Sequence, residues 1–175
     1  MKSDYVLKEL ERIKTEYGEL EPAKLAAEMK VIVRYEPMGV YDGCCKGFFI
    51  CACRQKHITV NADLSDELQR VILMHELAHA VLHSKTCDTA AFHDFAVFDK
   101  AGGKEYEANI FASDYLMRDE DVLAQLNDDV SFFGAAAKLG VPPEMLDFKF
   151  RLMKRRGYEF IEPPLMATGD FLRKV

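Results

Sequence analysis

The stretch from Val71 to His83 constrains this chain most. It reads Val71-Ile72-Leu73-Met74-His75-Glu76-Leu77-Ala78-His79-Ala80-Val81-Leu82-His83 and sets His75 and His79 four residues apart inside an apolar run. On an α-helix, residues i and i+4 stack on the same face. Both imidazoles can therefore close on one metal ion from one side. Glu76 sits one step round the helix, within reach of a water at such an ion. Two imidazoles beside a carboxylate at this spacing form a catalytic-zinc arrangement. Ser65 is a good N-cap, and Asp66 and Glu67 place negative charge where the helix dipole favours it. Leu68, Val71, Ile72, Ala78 and Leu82 form an inward stripe that contains both histidines. Histidines on a buried face need polar partners. A purely structural pair would meet that need with side chains alone, but the adjacent glutamate has no duty in such a pair.

The rest of the chain sets few competing constraints. Its 175 residues suffice for one domain with a real core. We expect residues 1–130 to form the metal-bearing domain and 131–175 a helical extension packed on it. The net charge of −6 argues against nucleic-acid binding over the whole surface. No apolar run reaches membrane-spanning length, and Met1-Lys2-Ser3-Asp4 leads into an amphipathic segment, not an apolar leader. A cytoplasmic protein is expected. Five cysteines, an odd number, fit a reducing compartment. Cys44, Cys45, Cys51 and Cys53 are clustered, but their spacing is not the paired C-x-x-C of zinc ribbons. Burial in a strand explains them equally well, and Cys87 reads as an inert thiol.

Taken in order, the pattern predicts a helix through Val6, Leu7, Leu10, Ile13 and Tyr17, stopped by Gly18. A short helix follows from Pro22 to about Met29. Strands are predicted at Val31–Tyr35, Phe48–Cys53 and His57–Val60, with Arg54-Gln55-Lys56 as the hairpin connection between the last two. After the histidine helix, Ser84 to Gly103 reads as an irregular insertion rich in phenylalanine. Lys104 to Met117 is helical again, and Asp119-Glu120-Asp121 caps a further helix from Val122 to Leu126. Phe132–Leu139, the turn Gly140-Val141-Pro142-Pro143 and Met145–Arg156 outline a helix-turn-helix. Lys149, Arg151, Lys154, Arg155 and Arg156 give its second helix positive character. A solvated basic face is the plainer reading, and DNA contact through Lys149–Arg156 the sharper one.

Two segments together carry a family resemblance. The first is His75-Glu76-Leu77-Ala78-His79-Ala80-Val81-Leu82-His83. The second is Glu105-Tyr106-Glu107-Ala108-Asn109-Ile110-Phe111-Ala112-Ser113-Asp114-Tyr115-Leu116-Met117. This pairing resembles the ImmA/IrrE metallopeptidase family, as does the strand ending Thr59-Val60-Asn61 before the helix. The resemblance spans about Val31 to Met117. Arg118 stands where the family usually has proline, and the insertion before Glu105 is distinctive. The resemblance implies an α+β fold, with a small, mostly antiparallel sheet on the active-site helix and helices on either side. It also implies a cytoplasmic zinc endopeptidase acting on a helix-turn-helix repressor of a mobile element or stress-response system. The competing reading is a non-catalytic, metal-containing regulator that binds a repressor or DNA.

The chemistry assigns roles. Three protein ligands leave zinc one open position, and the bound metal acidifies water and polarises a carbonyl. Glu76 is the general base. Glu105, and not Glu107, is expected as the third ligand. The two are about 200° apart on a helix, and Glu105 shares its side with Ala108, Asn109, Ala112 and Leu116. Glu107 is expected in solvent with Asp114 and Arg118, with Arg118 pairing with Asp114 at i, i+4. Asn109 is placed to orient a ligand from behind. His83 continues the i, i+4 series but reads as structural, because a fourth protein ligand would close the site. Oxyanion stabilisation is open among His57, His93, Tyr106 and Tyr115.

Overall fold

The computed structural model describes residues 2–83, 103–126, 130–159, 163–169 and 172. His93, Cys87 and most of the expected Ser84–Gly103 insertion lie outside the described residues. The described elements run α1 (Lys2–Tyr17), α2 (Pro22–Glu28), β1 (Ile32–Glu36), β2 (Gly47–Ala52), β3 (Gln55–Asn61), α3 (Asp66–Leu82), α4 (Gly103–Leu116), α5 (Asp119–Gln125), α6 (Phe132–Lys138) and α7 (Pro143–Arg155). The fold is α+β, as expected, and no described helix is long and apolar enough to cross a membrane.

The three strands form one sheet in the order β1-β3-β2. It is mixed. β3 pairs antiparallel with β2, Phe49 opposite Ile58, and parallel with β1, Val33 opposite Ile58. The long connection between β1 and β2 permits this, because it lets β2 run back along the far edge of β3. The hairpin turn falls at Cys53 and Arg54, not at Arg54-Gln55-Lys56. Both residues have positive φ, 52° and 63°. This pair of left-handed residues matches the right-handed twist of a two-residue hairpin. Gln55 and Lys56 consequently belong to β3.

α3 is the central element. Ser65 caps it by accepting from the Leu68 N–H, as its sequence suggested. Ten of its 17 residues are buried. Ile58 and Val60 of the sheet, Leu10 and Ile13 of α1, and Ala108 and Phe111 of α4 belong to the same core. Each fully buried Ile, Leu or Phe side chain contributes roughly 1.5–3 kcal/mol of hydrophobic stabilisation. This packing fixes α3 on several sides and so fixes where its histidines point.

The C-terminal helices make the expected outline, with Gly140 at φ +65° in the turn between α6 and α7. Much of α7's positive charge is engaged inside the fold. Lys149, 1% exposed, places Nζ 2.5 Å from Asp114 and 2.6 Å from Asp119. Arg156 grips the same two aspartates, and Arg151 pairs with Asp147. Asp114 is therefore buried and not on a solvent stripe, and Arg118 pairs with Asp121 instead of Asp114. The helix wheel erred here because it treats α4 alone, whereas α7 brings two cations to the Asp114 side.

Candidate metal centre

His75 and His79 project from the middle of α3, and Glu105 comes from the first turn of α4. Their atoms form a small triangle. His75 Nε2 and His79 Nε2 are 3.1 Å apart. Glu105 lies 3.3 Å from His75 Nε2 through Oε2 and 3.5 Å from His79 Nε2 through Oε1. Zinc binds such ligands at about 2.0–2.1 Å in a tetrahedron, whose edges are then about 3.3–3.4 Å. The triangle has that size. Among the described residues, His75, His79 and Glu105 are the group able to hold a metal ion, and no cysteine joins such a group.

The electrostatics match this geometry. Burial pushes His79 down to about 3, helped by the neighbouring His75 and opposed by Glu105. It therefore stays neutral, the form that ligates metal. Burial also pushes His75 down, but the Glu105 hydrogen bond and the charges of Glu76 and Glu105 outweigh it and leave its pKa raised. Two negative groups thus favour a positive charge at the triangle.

Glu76 is 8% exposed, on the turn of α3 that β2 crosses at Gly47. Asn109 is buried beside His75 and is among the groups that hold its pKa up. Its Nδ2 donates to the Gly169 carbonyl at 2.7 Å, while its Oδ1 makes no hydrogen bond of good geometry.

Two arrangements were not foreseen, the contacts of Glu107 near the triangle and those of Asn61. His83 Nδ1 lies 3.0 Å from His79 Nδ1, and His83 Nε2 lies 3.1 Å from Glu107 Oε2. Both ring nitrogens of His83 face protein groups. Glu107 is not in solvent, its side chain being only 16% exposed. The 200° wheel separation describes where Cβ points, and a glutamate carboxylate lies several ångströms further out. Asn61 is the second. It is fully buried, accepts from the Met38 and Asp63 N–H groups and donates to the Gly39 and Cys45 carbonyls. It pins the β1–β2 loop beside α3. A lone Asn at a strand end, just before an N-cap, was the available signal.

A family model, the IrrE N-terminal-like domain, matches residues 26–151, which include β1 to α6, most of α7 and the entire triangle. The chain belongs to this peptidase family. The ImmA/IrrE resemblance of the two motif segments is thereby established. A second comparison is with "Uncharacterized immunity region protein 2" of Bacillus phage phi105, 31% identical over 103 residues. The match takes in 59% of this chain and 64% of the phage protein, so the chain spans a little under two thirds of that relative's length.

Proposed function

We propose that this chain is a zinc-dependent endopeptidase whose substrate is a helix-turn-helix repressor of a mobile element. The observation that carries the catalytic part is the triangle of His75, His79 and Glu105, with Glu76 on the same helix. These three residues would hold the metal, which supplies Lewis acidity toward a carbonyl and toward water. Glu76 takes the proton of the attacking water on its carboxylate and delivers it to the departing amide nitrogen. Asn109, buried beside His75, is the residue placed to orient that ring.

The sheet suggests where a substrate lies. β3 is paired on both sides, so it cannot supply an open edge. β2 can. Lys46 O accepts from Asn61 N, and the alternation of an antiparallel ladder then turns the N–H and C=O groups of Gly47, Phe49 and Cys51 away from β3. An extended peptide adding to that edge would run past Glu76. The repressor assignment draws on the immunity-region name of the phage relative and on the family.

Metal content tests the centre. Purified protein should hold about one zinc per chain, and His75→Ala, His79→Ala and Glu105→Ala should each lose it. Metal retained in all three variants would remove the basis of the proposal.

A further inference from the structure

We propose that the loop of residues 39–45 is a docking element for the substrate, with Val40 and Tyr41 anchoring an apolar side chain on the C-terminal side of the cleaved bond. This rests on the reading that an extended peptide adds to the β2 edge beside Glu76. It adds the place and the chemistry of a second contact.

The loop is pinched shut by one buried amide. Asn61 Nδ2 donates to the Gly39 carbonyl at 2.8 Å and to the Cys45 carbonyl at 2.9 Å, so the two ends of the loop meet at a single side chain. The Gly39 N–H donates to Asp63 Oδ2 at 2.7 Å, and the Cys44 N–H closes a turn on the Tyr41 carbonyl at 3.0 Å. A Cβ on Gly39 would stand 3.0 Å from Tyr41 Cε1, so the phenol ring lies against the loop's own backbone. Compact surface loops whose ends are joined in this way are frequently functional.

What this backbone presents is apolar. Val40 is 66% exposed and Tyr41 65%, and among the described large hydrophobic residues only Met166 is more exposed. A single exposed apolar side chain is ordinary on any protein surface. Two adjacent ones on a backbone held this firmly make a preorganised contact, and a tyrosine offers a large area at small entropic cost.

The position of the loop supplies its occupant. Only Lys46 separates it from Gly47, the first residue of β2, where a Cβ would stand 3.7 Å from Glu76 Cγ. Antiparallel pairing is the more stable kind. A peptide on this edge therefore runs from the Ala52 end towards Gly47. Its residues beyond those beside Glu76 then meet the loop, and these are the C-terminal ones. The partner is an extended peptide with an aromatic or branched apolar residue in that half.

The test uses Glu76→Gln protein as purified, which binds without turnover. The probe is a fluorescein-labelled peptide whose N-terminal half alternates threonine and valine and whose C-terminal half is glycine and serine around one phenylalanine. Controls replace the phenylalanine by serine or exchange the two halves. By fluorescence anisotropy the probe should bind about tenfold more tightly than either control. Adding Tyr41→Ser or Val40→Ser should remove most of that preference while thermal unfolding and zinc content stay unchanged. With Glu76 intact, the same two substitutions should raise KM for a cleaved peptide and leave kcat within about twofold. An undiminished preference in both variants, tighter binding of the exchanged peptide, or no binding of any peptide would overturn the docking role. So would self-association that both substitutions abolish without any effect on peptide binding, because the loop would then serve a second copy of the chain. If zinc-loaded wild type cleaves nothing while the Tyr41-dependent preference is present, the peptidase reading fails and the docking loop stands.

Discussion

Gly47 lies against the helix turn of Glu76 so closely that no other residue fits. A Cβ on Gly47 would stand 2.5 Å from Ile72 Cγ2, 3.0 Å from the Thr59 carbonyl and 3.7 Å from Glu76 Cγ. Real atoms do not approach to 2.5 Å, and Ile72 is buried in the core with little room to move. The hydrogen at this position is what lets the edge strand settle beside the proposed base.

Gly47→Ala should therefore push β2 away from α3. Overpacking of this kind costs about 1–3 kcal/mol. Zinc content should be unchanged, because none of the three triangle residues touches the strand through Gly47. Peptide hydrolysis should fall at least about tenfold, since small displacements of bound substrate lower rates steeply. Paired measurements of bound zinc and turnover would check this. Full activity in a folded Gly47→Ala protein would place the substrate elsewhere.

Asn61→Ala tests the loop anchor. It removes two donors and two acceptor contacts from a fully buried site. Leaving the Met38 N–H and the Cys45 and Gly39 carbonyls without their partner should cost about 2–4 kcal/mol. Chemical denaturation would show a lower midpoint with an unchanged slope.

The Asp114–Lys149 pair carries a pH signature. Burial pushes the Asp114 carboxyl up, but the hydrogen bond from Arg156 and the charge of Lys149 more than offset this and hold it below its ordinary 3.8. A carboxylate with a lowered native pKa contributes stability that is present above its unfolded value and lost as pH falls through the native one. Asp114→Asn should destabilise the protein by about 1.5–3 kcal/mol at neutral pH, because the buried Lys149 ammonium and Arg156 are left to share Asp119 alone. The difference from wild type should shrink below about pH 4. Unfolding curves at several pH values would show the two proteins converging in acid. A constant difference would contradict the pair's role.

The metal helix was legible because its determinants are local. Ser65 caps, the apolar stripe buries, and i, i+4 spacing aims His75 and His79 together. The strands were legible from β-branched runs, but their pairing was not. The parallel β1–β3 contact depends on the path of a ten-residue connection. Glu107 and Asp114 were misplaced for one reason. Their partners, His83 and Lys149, lie 24 and 35 residues away in sequence. A helix wheel contains no information about what packs against it. Glu105 was placed beside the histidines because a small, apolar face on α4 already marked the side that meets α3.

The most direct test of the catalytic reading is a cleavage assay with Glu76→Gln beside wild type. Both proteins, loaded with zinc, would be incubated with a helix-turn-helix repressor of the proposed substrate class, with and without chelator. The expected result is defined proteolytic fragments from wild type alone, abolished by chelator. Glu76→Gln should retain its zinc while cleaving at least about a hundredfold more slowly. A Glu76→Gln protein that cuts the repressor at the wild-type rate would contradict the assignment of Glu76 as the base. A zinc-loaded wild type that leaves every bond of the repressor intact would contradict the proposal that the repressor is its substrate.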